Sequence, residues 1–188
     1  MNKYVIFYAG GSGGYMFYYG MYLLLGINVQ EAFKKNWGIK SFETWKDTET
    51  RVTPESQVKM HCKKYDVYPG RTNIVVYTDI ETQKNICELK KAYWYRFTQF
   101  RDAAELANFK AHLNPATIMY NGILIDATLS RIIDKADHTF LLQDVVSTRF
   151  KCVSDTLGIE QPPAVAVHIN DWIMMHPPEI QKQLGYYE

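Results

Sequence analysis

The sequence predicts a single α/β domain over residues 1–188, with a mainly parallel central sheet in a three-layer αβα arrangement. Three observations predict it. Short β-branched and aromatic runs alternate with segments of helical period, the pattern of a sheet whose strands are joined through helices. The first strand runs into a glycine cluster and then a helix, as a parallel crossover begins. At 188 residues, with no internal repeat, low-complexity tract or linker, the chain stays below the roughly 250 residues at which cores divide.

Each element has its own signal. Lys3 to Ala9 (KYVIFYA) is short, β-branched and aromatic, and reads as a buried strand. From Ser12 or Gly13, apolar residues at Tyr15, Phe17, Tyr18, Met21, Tyr22 and Leu25 predict a helix that stops near Gly26. Asn28 with Glu31 marks the cap of a short helix through Trp37, and the mixed-charge stretch from Gly38 to Pro54 reads as a loop. Ser56–Cys62 and Asn73–Tyr77 are expected strands. Thr78 and Glu81 have capping-box spacing before a helix with Ile86, Leu89, Tyr93 and Phe97 on its buried face. Asp102 and Glu105 repeat that signal before Leu106, Phe109 and Leu113. Between Thr117 and Asp134 two readings stand: a hairpin turning at Asn121-Gly122, or a loop followed by a short helix over Leu129–Asp134. Thr139–Leu142 is the last expected strand. Helices follow over Arg149–Leu157, closed by Gly158, then about Ala164–Met175 after Pro162 and Pro163, and Pro178–Leu184.

Composition excludes several function classes. Twenty-one Lys and Arg against 20 Asp and Glu give a net charge of +1, with no basic field for a nucleic-acid partner. Cys62, Cys87 and Cys152 have no metal-ligand or disulfide-framework spacing. A reducing, cytoplasmic setting suits them. Tyr4 to Val29 carries no charge for 26 positions, long enough to cross a membrane. Six glycines and six tyrosines interrupt that run, so it reads as a buried strand followed by a buried helix, with no membrane partner.

The segment Gly10-Gly11-Ser12-Gly13-Gly14-Tyr15 joins the first strand to the first helix. There, backbone N–H groups and the helix dipole converge, glycines let the chain approach an anion, and Ser12 adds a hydroxyl. Phosphate or sulfate is the implied ligand class, with a tight turn that binds nothing as the plain alternative. A Walker A loop fails, because its sixth position is Tyr15 and no lysine lies between Lys3 and Lys34. The dinucleotide fingerprint matches at Gly11 and Gly13 and fails at Met16. The letters GxSxG of a serine-hydrolase elbow are met by Gly10 to Gly14, but only nine residues precede them.

Three segments together resemble the sulfotransferases, a P-loop-related family. Gly10-Gly11-Ser12-Gly13-Gly14 keeps the Ser-Gly pair of the loop that wraps the 5′-phosphosulfate. Val58-Lys59-Met60-His61-Cys62 is similar to that family's Lys-Thr-His strand end, and Phe140-Leu141-Leu142-Gln143-Asp144-Val145-Val146 resembles its strand ending in Glu-Asp-Leu. The chain looks like a shortened relative, of the kind associated with phage and marine genomes. The resemblance implies 3′-phosphoadenosine 5′-phosphosulfate as the cofactor and transfer of its sulfuryl group to a hydroxyl or amine. His61 is the implied general base. Lys59, two positions earlier on the same strand face, is the candidate replacement for the loop cation, because Gly11 stands where the family has a basic residue. Thr78-Asp79 stands where an arginine for the 3′-phosphate is expected. With those cations missing, a silent nucleotide- or anion-binding module of the same fold is the second reading, and the hydrolase the third.

Overall fold

A computed structural model describes residues 2–27, 58–61, 66–97 and 114–186 of the chain, with side chains in all but 59–61 and 90–97. Its frame is a four-stranded parallel sheet. β1 (Tyr4–Tyr8) lies between β2 (Val58–His61) and β3 (Thr72–Tyr77), and β6 (His138–Leu141) adds outside β3. The register sets Tyr4 opposite Val58 and Thr72, and Tyr77 opposite Leu141. A separate antiparallel pair, β4 (Thr117–Tyr120) and β5 (Ile123–Asp126), forms the hairpin at Asn121-Gly122. Both turn residues have positive φ, as the tightest hairpin connections require. The alternative of a short helix from Leu129 gives way to two 3₁₀ turns, Ala127–Leu129 and Ile133–Lys135.

β1 is buried along its whole length because its residues feed two cores. Tyr4, Ile6 and Tyr8 join Ile74, Val76 and Phe140 under the helices, while Val5, Phe7 and Ala9 join Val75 and Tyr77 under the hairpin and the 3₁₀ turns. A strand covered on both faces has no polar side to show, which explains the unbroken apolar run. The helices are α1 (Gly14–Leu24), α2 (Ile80–Phe97), α3 (Leu142–Ser147), α4 (Lys151–Leu157), α5 (Pro163–Met174) and α6 (Pro178–Gln183). Each contributes to the first core, α2 through Ile86. The helices expected over 28–37 and 102–113, and the loop expected over 38–54, lie outside the described residues.

Around β6 and α4 two boundaries differ from those expected. The helix expected from Arg149 starts at Lys151, because Arg149 (φ 50°) and Phe150 (φ 73°) are both left-handed. Positive φ is strained for a bulky residue. Here burial offsets the strain: Phe150 is fully buried, 4.9 Å from the Phe17 ring between centroids. The strand expected through Leu142 ends at Leu141, and α3, which had no counterpart in the sequence reading, begins at once. Leu142, Val145 and Val146 form its buried face. Among the described residues, no helix is long and apolar enough to cross a membrane.

Candidate functional site

The order β2-β1-β3-β6 has a reversal in it. From β1 the chain reaches β2 on one side and then β3 on the other, so the carboxyl ends of β1 and β3 flank a topological switch point, where ligands of open parallel sheets dock. The loop from Ala9 to Gly13 stands on that edge, between β1 and α1. Thr78 and Asp79 stand on it after β3, and Leu142 and Gln143 after β6.

The loop is a tight turn held from two sides. Ser12 N–H and Ser12 Oγ both donate to the Ala9 carbonyl, at 3.1 and 2.7 Å. Gly11 (φ 86°) and Gly13 (φ 69°) take left-handed conformations. A Cβ on Gly11 would lie 2.6 Å from the Gln83 carbonyl oxygen and 2.7 Å from Cys87 Sγ, and one on Gly13 would lie 2.6 Å from Leu142. These glycines therefore serve close packing against α2 and α3 as well as turn geometry. Ser12 is fully buried, whereas an elbow nucleophile stands exposed at its turn. Gly13 caps α1 without a side-chain hydrogen bond, and the first turn of α1 carries no acid. The partial positive charge of that helix end therefore has no acid in its own first turn to compensate it.

A polar network fastens the neighbouring ends together. Thr78 Oγ1 donates to Gln143 Oε1 at 3.1 Å, and Gln143 Nε2 donates to Asp79 Oδ2. Asp79 Oδ1 accepts from Thr82 N–H at 2.8 Å. Asp79, rather than Thr78, is thus the cap of α2, which corrects the sequence reading. The aspartate where a phosphate-binding arginine was expected is a helix cap with both oxygens engaged. Beyond it, Gln83 Nε2 donates to Asp126 Oδ2 at 2.8 Å, and Asp126 Oδ1 accepts from Thr128 N–H and Oγ1. The network consists of hydroxyls, amides and carboxylates. At the end of β3, burial raises the Tyr77 phenol above its ordinary value, opposed by a hydrogen bond with Asn121 and reinforced by Tyr120 and Asp144.

The sequence candidates divide accordingly. Gly10 to Tyr15 are brought to the switch point as one loop and helix start. His61 ends β2 in register with Phe7, and Lys59 is in register with Val5, so the backbone of His61 lies at the same sheet edge as the loop. Their side chains lie outside what the structure describes. Sequence reasoning gave no supporting role at this edge to Gln83, Cys87, Asp126 or Gln143, whose partners here are distant along the chain. No group of three or more metal-ligating side chains occurs among the described residues. Two surface depressions, of about 700 and 410 Å³, lie elsewhere, one between α4 and α5 around Gln161 and the other between α2 and α6 around Leu89. Neither is lined by the loop. Comparison with family models, with curated proteins and with solved structures returned no match for this chain.

Proposed function

We propose that this chain binds an anionic nucleotide at the Gly10–Tyr15 loop, and that 3′-phosphoadenosine 5′-phosphosulfate is that nucleotide. The observation that carries the reading is the amino end of α1, where Gly13 makes no side-chain cap and the first turn has no acid, at the switch point of a parallel sheet. The backbone N–H groups of the first turn of α1 are the donors that a phosphate or sulfate would take there. The choice of nucleotide rests on the resemblance of three segments to the sulfotransferases. In the reaction so implied, the acceptor hydroxyl attacks sulfur in line, a new S–O bond forms, and the bridging S–O bond breaks. 3′-Phosphoadenosine 5′-phosphate leaves, while His61 takes the acceptor proton.

The test is thermal stabilisation by 3′-phosphoadenosine 5′-phosphate, with ATP and free sulfate as controls. A ligand at a hundred times its Kd stabilises by about 2.7 kcal/mol, a shift of several degrees or less in a domain of this size. Preferential stabilisation by the 3′-phosphorylated nucleotide, lost when Ser12 and Gly13 are enlarged, is the expected result. No shift at millimolar nucleotide rejects the reading. Stabilisation without any conversion of the phosphosulfate donor selects the silent module over the transferase.

A further inference from the structure

We infer that Gln83 and Asp126 form a buried positioning pair that sets the shape of the anion loop, making the β4–β5 hairpin part of the support of the ligand site. The inference rests on the nucleotide-binding reading of that loop. Gly11 packs so closely on α2 that a Cβ added to it would lie 2.6 Å from the Gln83 carbonyl oxygen and 3.1 Å from Gln83 Cγ. The backbone and the side chain of Gln83 are therefore the floor on which the loop lies. One turn further along α2, the Cys87 thiol donates to the Gly10 carbonyl at 3.4 Å.

The Gln83 side chain is not free to move. Its amide donates to Asp126 Oδ2, and the other carboxylate oxygen is held at 2.8 and 2.7 Å by Thr128 N–H and Oγ1. Gln83 and Asp126 are each 1% exposed, so bulk solvent does not reach these bonds. Three donors thus converge on one buried carboxyl group. Asp126 ends β5 and caps the first 3₁₀ turn. The path from hairpin to loop is thus continuous: Asp126 fixes Gln83, and Gln83 fixes Gly11. A loop that binds an anion through backbone N–H groups needs those groups held to about 0.5 Å.

The experiment compares three chains by calorimetric titration with 3′-phosphoadenosine 5′-phosphate, alongside melting curves. Gln83→Met keeps the volume and removes the amide. The exchange Gln83→Glu with Asp126→Asn restores one hydrogen bond and one negative charge with donor and acceptor reversed. By analogy with supporting partners in metal sites, Gln83→Met should weaken binding about 10- to 100-fold at a temperature where circular dichroism shows it folded. The exchange variant should recover most of the affinity. If Gln83→Met does not fold, Gln83→Glu alone, which sets two carboxylates face to face, takes its place with the same expectation. A variant that melts lower yet binds as the parent does overturns the inference, leaving the pair a hairpin anchor. Failure of the parent chain to bind overturns the nucleotide reading and this inference together.

Discussion

At the scale of single residues, the clearest lesson concerns groups whose role is fixed by burial. His168 on α5 is buried, and its Nε2 donates to the Met16 carbonyl of α1 at 3.0 Å, with the Tyr19 ring 4.7 Å away between centroids. Desolvation lowers its pKa from 6.5 to about 4, only partly opposed by the Met16 hydrogen bond. The native state therefore holds this imidazole neutral where the unfolded chain binds a proton. Its contribution is intact above about pH 6.5 and is lost as pH falls toward 4, with a total on the order of 3 kcal/mol. Urea unfolding between pH 7 and 4 should show this slope, and His168→Gln, which can still donate to Met16, should flatten it. An equal slope in both chains would assign the acid sensitivity to other groups.

Whole elements were legible where local chemistry specifies them and hidden where distant partners do. Asn121-Gly122 offers its hairpin as one of two readings, and Gly26 and Gly158 end α1 and α4 with positive φ. The cap of α2 lies one residue on from the expected Thr78, because Thr78 and Asp79 are both good caps and it is Asp79 that accepts from Thr82 N–H, while Gln143, 64 positions on from Asp79, engages both. Asp79→Ala should accordingly cost more than a simple cap. Loss of the Thr82 bond removes about 1 kcal/mol, and the Gln143 amide then loses its carboxylate acceptor. We expect a fall of about 1–3 kcal/mol, read as a lower urea midpoint with an unchanged slope. Asp79→Asn, which keeps the Thr82 acceptor, should lose less. α3 went unseen because its helical spacing at Leu142, Val145 and Val146 directly continues the apolar run of β6, with no polar cap between them. For the same reason the loop was legible as a glycine-rich turn while its supports were not. Gln83 and Asp126 lie 43 positions apart, and no periodicity joins them.

For the molecule as a whole, cooperativity should follow the sheet. β1 and β3 each have hydrogen-bonded neighbours on both sides, and both are buried against the helical core and the hairpin core. Their amides can exchange with solvent only when both cores come apart, that is, by global unfolding. The hairpin differs along its own length. Met119 and Leu124 face each other across it with 64% and 46% of their surface exposed, whereas Ile125 and Asp126 are buried. Two strands alone are marginal, so the hairpin keeps its order through that buried end. Hydrogen exchange followed by mass spectrometry at rising urea should therefore find peptides covering Val5–Phe7 and Ile74–Val76 exchanging at the global rate. The hairpin tip, Tyr120 to Ile123, should exchange early, and protection should rise toward Asp126. Uniform early exchange over residues 117–126 would mean that the hairpin opens as a unit and cannot hold Gln83. A graded profile, steepened when the nucleotide is added, would show the sheet edge and the hairpin base behaving as one cooperative body.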